Sequence, residues 1–311
     1  MRKTTTMTIA RSAAASRRAI FGLAAASICV WGSASAADTK PLLARGAYLV
    51  NSILACGNCH TPRSPEGKPV EGREFAGGLS FTVPPFNAAA SNITPDRETG
   101  IGAWSDAEIK RALVEGVRPG HGRLANVPLA PVMPAGFFKA FLPGDLDAVV
   151  AYLRTVKPVR TATPDPVYKL PTAHARYPDA DAGFTEAQMA DPVRRGAYLV
   201  TIGHCMECHS PQVKGALDFA KLGKGGRTFG PQIVQGFDPA WKGSVARNIT
   251  SHRVSGLGAW SDAQIRRAIT KGISRDGRAL GPPMAFAWYD RMTRADLDAI
   301  VAYLRTVPPQ E

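Results

Sequence analysis

Two copies of the five-residue pattern C-x-x-C-H constrain this 311-residue chain more than any other feature. The first copy occupies residues 56–60 and the second residues 205–209. In this pattern two thiols form thioether bonds with a haem, and the histidine beside the second thiol binds the iron. One copy alone could be a zinc or redox site, but two copies predict two covalently bound haem c groups. The predicted attachment residues are Cys56, Cys59, Cys205 and Cys208, and the predicted iron ligands are His60 and His209.

The sequence around each motif is also repeated. The matching segments are RGAYLV at 45–50 and 195–200, NIT at 92–94 and 248–250, GAWSD at 102–106 and 258–262, and DLDAVVAYLRTV at 145–156, which returns at 296–307 with one change. A repeated segment order indicates a duplicated structural unit. We therefore predict two homologous domains, residues 38–158 and 191–311, joined by a proline-rich, semi-extended linker over residues 159–190.

Helical patterns fill both repeats, and long strand patterns are absent. Ser105-x-x-Glu108 and Ser261-x-x-Gln264 are capping boxes, which predict a helix start at each place. Apolar residues recur at three- and four-residue steps in the last helix of each repeat. A helix over residues 43–55 is predicted to continue into the first haem motif. The predicted fold class is all-α, with the first helix of each repeat packed against the last.

The N-terminus predicts export from the cytoplasm. Residues 1–36 contain five basic residues and no acid, then an apolar stretch, then Ala34-Ser35-Ala36. This order is typical of a signal peptide, here cleaved after Ala36, and it predicts a periplasmic protein. A twin-arginine signal at residues 16–18 and a lipoprotein box before Cys29 fit the pattern less well.

Charge argues against a nucleic-acid partner. The formal net charge is +13, and the five basic residues of the predicted leader leave +8 for the rest of the chain. The propionates of two haems would lower this value further. The remaining positive charge gives little electrostatic support to nucleic-acid binding.

The repeated residues resemble the class I c-type cytochromes over residues 42–158 and 192–308. The NIT, G-x-W-S-D and proline–methionine segments are further similar to the cytochrome subunits of periplasmic or membrane-bound alcohol and sugar-acid dehydrogenases. Those subunits typically have three haems and a membrane attachment near the C-terminus. This chain has two haem motifs and ends at Glu311, so we expect a soluble two-haem relative without a transmembrane anchor.

This resemblance implies a methionine as the second axial ligand of each iron. Met133 and Met284 occupy equivalent positions, 73 and 75 residues after His60 and His209, and flanking prolines would stiffen their loops. The other candidates are interpreted as packing residues (Met189, Met206 and Met292) and as surface or hydrogen-bonded imidazoles (His121, His174, His204 and His252). Trp104 and Trp260 are either core residues or, as the resemblance suggests, indole N–H donors to a haem propionate.

Histidine and methionine on the two faces of an iron leave no position open for a substrate. The sequence therefore predicts an electron carrier without catalytic residues, since methionine favours the ferrous state and ligation changes little with oxidation state. The expected donor is a periplasmic or membrane-bound dehydrogenase, and the expected acceptor is another cytochrome or a terminal oxidase. The alternative is a two-haem redox enzyme of the peroxidase or thiosulfate-oxidising type, which would need one iron without methionine.

Overall fold

The computed structural model describes residues 36–311, and these residues contain eleven α-helices and two short 3₁₀ helices. The predicted leader, apart from Ala36, lies outside the described residues. The helices of the first repeat are α1 Ala36–Asn51, α2 Cys56–His60, α3 Asp106–Glu115, α4 Ala135–Phe138 and α5 Pro143–Thr155. Helix α6, Pro178–Ala182, follows in the linker segment. The second repeat has α7 Pro192–Ile202, α8 Cys205–His209, α9 Asp262–Lys271, α10 Phe286–Tyr289 and α11 Arg294–Thr306, and the 3₁₀ helices are Glu186–Ala190 and Phe219–Lys221. In this part of the chain no helix is both long and apolar enough to cross a membrane.

The first helix of each repeat packs tightly against the last, as the sequence predicts. A Cβ atom added to Gly46 of α1 would lie 1.9 Å from the carbonyl oxygen of Ala148 in α5. A Cβ added to Gly196 of α7 would lie at the same distance from the carbonyl oxygen of Ala299 in α11. Only glycine permits so close a crossing of two backbones.

Both predicted capping boxes are present. The Ser105 hydroxyl accepts from the backbone N–H of Glu108, whose carboxylate accepts from the backbone N–H of Ser105. Ser261 and Gln264 form the same pair at the start of α9. Both helices end at a glycine in the left-handed conformation, Gly116 and Gly272.

The predicted continuous helix over residues 43–55 is interrupted before the haem motif. Helix α1 ends at Asn51, and a turn leads to Ala55, whose φ of 48° is left-handed. A left-handed residue ends the run of right-handed backbone, so residues 56–60 form a separate short helix. His204, with a φ of 42°, does the same immediately before α8.

The structure also contains short strands, which were not predicted from the sequence. They are β1 Ser80–Val83, β2 Phe86–Ala89, β3 Val167–Tyr168, β4 Gln212–Val213, β5 Ala216–Leu217, β6 Thr228–Phe229, β7 Val234–Gln235 and β8 Ser244–Val245. One four-stranded antiparallel sheet has the order β3-β2-β1-β7. It therefore combines strands of the first repeat with one from the linker segment and one from the second repeat.

The segment over residues 159–190 packs against the first repeat along much of its length. The side chain of Asn92 donates to the carbonyl of Val159 at 2.7 Å, and β3 pairs with β2. Tyr177 is 1% exposed, and its ring stacks on Phe137 with centroids 4.7 Å apart. The segment is thus an integral part of the packed structure of residues 36–311.

Two equivalent hydrogen bonds join the repeats. The Tyr198 hydroxyl of α7 donates to Asp145 of α5 at 2.6 Å, and the Tyr48 hydroxyl of α1 donates to Asp296 of α11. Each aspartate also pairs with an arginine of its own repeat: Arg45 with Asp145 through two 2.7 Å contacts, and Arg195 with Asp296. Because the same residues of each repeat take part, the contact is reciprocal.

Candidate haem sites

The predicted haem-binding residues of the first repeat line one open cavity. Cys56, Cys59 and His60 reach it from α2, and Met133 reaches it from the loop before α4. Apolar side chains form most of the remaining wall, among them Leu54, Ile109, Leu113, Phe138, Val149 and Leu153. The cavity thus places two thiols, an imidazole and a thioether around one largely apolar space.

Both predicted histidine ligands have one ring nitrogen already engaged. His60 donates from Nδ1 to the carbonyl of Ser91 at 2.7 Å, and His209 donates from Nδ1 to the carbonyl of Arg247 at 2.6 Å. A carbonyl only accepts, so the proton is on Nδ1 and Nε2 keeps its lone pair. Burial lowers the pKa of both imidazoles and so favours the neutral form. Each histidine is therefore oriented as a metal ligand through Nε2.

The four cysteines of the described residues are all unpaired. Burial raises the pKa of Cys59 to about 11 and those of Cys56, Cys205 and Cys208 to about 12. Thioether sulfur is uncharged, so covalent haem attachment suits the same surroundings. The residues present fit haem c.

Basic and aromatic side chains line the rim of the first cavity. Arg97, Arg118, His121, Arg123 and Trp104 all border it. Arg118 also donates to the backbone carbonyl of Pro128 at 2.7 Å, which holds it in place. Arg97 and Arg118 are thus candidates to pair with haem propionates, and the position of Trp104 agrees with either of its two predicted roles.

The first methionine loop is held by the linker segment. His174 donates from Nδ1 to the carbonyl of Met133 at 3.0 Å. Its ring fits beside Gly116, where an added Cβ would lie 1.9 Å from His174 Nε2. The sequence predicts a surface or hydrogen-bonded imidazole at His174. The structure shows the hydrogen bond, and its acceptor is a predicted ligand residue.

The methionine loop of the second repeat lies at the contact between the repeats, where Pro283 accepts a hydrogen bond from Asn58. Met284 is half-buried in the loop before α10. Tyr289 of α10 is the counterpart of Phe138, and its pKa is raised well above the ordinary value by burial, then by Cys205, Cys208 and Cys59. Thiols of both motifs are thus close enough to Tyr289 to affect its pKa. The two candidate haem sites are neighbours.

His204 was missed as a site residue. It belongs to the second repeat, yet it borders the first cavity and meets the edge of Phe138 with ring centroids 6.3 Å apart. Its position before Cys205 gives no signal of this role, because the contact depends on how the repeats pack. Met206 is a packing residue, as predicted, and is 1% exposed.

Comparison with known proteins finds similarity to c-type cytochromes. Residues 193–308 match the cytochrome c family. The cytochrome c subunit of alcohol dehydrogenase (quinone) from Gluconacetobacter polyoxogenes is 32% identical over 284 residues, which are 86% of this chain and 56% of that protein. The fructose dehydrogenase cytochrome subunit from Gluconobacter japonicus is 31% identical over 86% of this chain and 53% of its own length. A diheme cytochrome c-type protein from Cereibacter sphaeroides is 27% identical over 82% of this chain and 83% of its own length.

These matches confirm the resemblance predicted from the sequence. The chain is similar to c-type cytochromes, and its residues 193–308 match the cytochrome c family. Its similarity extends across most of its length to proteins named as cytochrome c subunits of dehydrogenases. The chain spans about half the length of those two relatives.

Proposed function

We propose that this chain is a periplasmic two-haem electron carrier. It would accept electrons from a dehydrogenase and pass them to another cytochrome or a terminal oxidase. The observation that carries the proposal is the first cavity, where His60 and Met133 border the same space as the two attachment thiols. The repeat of the same residue types around His209 and Met284 supports a second site of the same kind.

The chain's own residues favour electron transfer over catalysis. A bound haem supplies reversible one-electron chemistry at its iron. Ser91 and Arg247 hold the imidazoles in the ligating tautomer, and the largely apolar wall of the first cavity suits a porphyrin ring. Met133, on a loop held by His174, borders the same cavity as His60 and would supply a thioether ligand to the iron. A thioether ligand would stabilise the ferrous state and would keep small molecules from the metal.

The donor and the location rest on separate observations. Two relatives are named as cytochrome subunits of an alcohol and a fructose dehydrogenase, which supports a dehydrogenase as donor. The basic and apolar N-terminal leader supports export to the periplasm. No comparison points to the acceptor, so a cytochrome or terminal oxidase remains our proposal from the haem chemistry.

Carbon monoxide binding by the ferrous two-haem protein tests the proposal. The unmodified protein is expected to bind carbon monoxide slowly or hardly at all, because both axial positions are occupied. Met133→Ala and Met284→Ala should each open one haem and lower the potential of that haem alone. Met189→Ala, in the linker segment, is the matched control and should change neither haem.

Two outcomes would overturn the carrier assignment. Rapid carbon monoxide binding at one haem of the unmodified protein, with turnover of peroxide or thiosulfate, would establish the enzyme alternative. Unchanged carbon monoxide binding in Met133→Ala or Met284→Ala would show that the methionine replaced is not an iron ligand.

A further inference from the structure

The first haem motif makes a direct contact with the methionine loop of the second repeat. Asn58 lies between Cys56 and Cys59 and is 7% exposed. Its amide nitrogen donates to the carbonyl oxygen of Pro283 at 3.1 Å. Pro283 is the residue immediately before Met284, so this bond holds the peptide unit that leads into the predicted ligand.

Arg63 fixes the orientation of the Asn58 amide. Its Nη2 donates to Asn58 Oδ1 at 2.8 Å and to the Asn58 carbonyl at 2.9 Å. Its Nη1 donates to the carbonyl of Gly67 at 2.9 Å, and the guanidinium lies over the Phe237 ring. Arginine only donates, so the oxygen of Asn58 must face Arg63 and the NH₂ group must face Pro283.

The other side of the loop also touches the first motif. A Cβ added to Gly57 would lie 3.0 Å from the indole nitrogen of Trp288, in the helix that follows Met284. Residues 57 and 58 therefore contact the chain both before and after the predicted ligand. Together these contacts restrict the position of the loop.

The relation between the repeats is not reciprocal at this point. The position equivalent to Asn58 in the second motif is Glu207, whose carboxylate has no N–H to donate when ionised. Its carboxylate lies 3.1 Å from His204 Nδ1 of its own repeat. The carbonyl of Met133 is held instead by His174.

We propose that Asn58 is a positioning residue for Met284, so that the first haem motif sets the strength of the methionine–iron bond of the second haem. The inference rests on the proposed function, because it requires Met284 to be the axial ligand. Its consequence is specific: loss of the Asn58 donor weakens methionine ligation at the second haem and leaves the first haem's methionine in place.

Displacement of methionine by imidazole in the ferric protein tests this relation. In the Met133→Ala protein, the absorption band of methionine-ligated ferric haem reports the second haem alone. In the Met284→Ala protein it reports the first haem alone. Adding Asn58→Leu removes the donor at nearly constant volume, and Arg63 keeps its backbone acceptors at Asn58 and Gly67.

Asn58→Leu should lower the imidazole midpoint of the second haem roughly fivefold, the equilibrium effect of one net hydrogen bond. The midpoint of the first haem should stay unchanged. Asn58→Asp, which keeps the acceptor for Arg63 but not the donor, should give the same selective loss and serves where the leucine variant does not mature. Glu207→Gln, at the equivalent position, is the control and should move neither midpoint.

The outcomes separate the inference from the proposed function. Equal shifts at both haems, or none at the second haem, would overturn the role of Asn58. If Met284→Ala leaves the methionine band of the parent protein undiminished, Met284 is not the ligand and the proposed function itself fails at that site.

Discussion

The two repeats are alike in their helix frameworks and different in what holds their methionine loops. The glycine crossing, the capping box and the arginine–aspartate pair occur at equivalent positions in both repeats. The Met133 loop is bonded to the linker residue His174, whereas the Met284 loop is bonded to Asn58 of the first motif. Contacts whose two partners were both duplicated have stayed alike. The two methionine loops differ because their partners were not duplicated. His174 lies in a segment that occurs once, and Asn58 is replaced by Glu207 in the second motif.

Alanine at the two glycine crossings should have the largest effect and should affect both repeats equally. Gly46→Ala and Gly196→Ala each place a Cβ 1.9 Å from a backbone oxygen, so the paired helices must move apart. We expect each to lower the free energy of unfolding by about 3 kcal/mol, as over-packing of a core does. Urea unfolding of the haem-loaded protein measures this loss.

Gly144→Ala is the matched control, because Gly144 lies near the start of α5 with no backbone atom close to its added Cβ. It should be neutral or slightly stabilising, since alanine favours helix over glycine. A large difference between the two crossing variants would show that the frameworks are not equivalent.

The reciprocal tyrosines should differ in effect because their burial differs. Tyr198 is 1% exposed, whereas Tyr48 is half-buried. Replacing either by phenylalanine removes a hydrogen bond to a carboxylate that joins the repeats. We expect a loss of about 2 kcal/mol for Tyr198→Phe and about 1 kcal/mol for Tyr48→Phe in the free energy of unfolding.

Tyr152→Phe separates the inter-repeat bonds from tyrosine removal in general. The Tyr152 hydroxyl accepts from Asn51 within the first repeat. This variant should lower the free energy of unfolding less than Tyr198→Phe does. If Tyr48→Phe lowered the free energy of unfolding more than Tyr198→Phe, burial would not determine the strength of these hydrogen bonds.

His174→Ala sharpens the contrast between the methionine loops. The change removes the donor to the Met133 carbonyl. The methionine–iron bond of the first haem should therefore weaken by about 1 kcal/mol. The imidazole midpoint of the first haem, measured in the Met284→Ala protein, should fall accordingly. The second haem, measured in the Met133→Ala protein, should be unaffected. An effect on the second haem alone would contradict the proposal that His174 holds the Met133 loop.

The smallest expected difference between the repeats is in how their capping boxes respond to low pH. The backbone N–H and hydroxyl of Ser105 hold the pKa of Glu108 below its ordinary value of 4.5. A lowered folded-state pKa gives a stabilisation that is present above 4.5 and is lost as the pH falls through the folded value. Gln264, in the equivalent box, does not titrate.

Amide chemical shifts of the ferrous protein report this difference. The Ser105 amide should titrate with a midpoint below 4.5, and the Ser261 amide should show no such step. Glu108→Gln should abolish the step at Ser105. A common midpoint at both serines would indicate a general acid transition instead.

The sequence predicted the parts of the fold that depend on neighbours along the chain. Capping boxes, helix periodicity and the C-x-x-C-H motifs are local patterns, and the first two are confirmed in the structure. The interruption between Asn51 and Cys56 was missed because Ala55 is a residue type that rarely takes left-handed backbone. The partners of Asn58, His174 and His204 were not predicted, because they lie in other segments. No local pattern encodes those contacts.

The strand β7 closes an edge that the first repeat leaves open. Ser80 and Phe81 of β1 pair with Gln235 and Val234, more than 150 residues later in the chain. During synthesis, the outer edge of β1 has no partner until residue 235 has been made. An unpaired edge recruits strands of other chains, so a chain released at residue 190 should aggregate on refolding, as light scattering would show. The second repeat therefore protects the first from association with other copies.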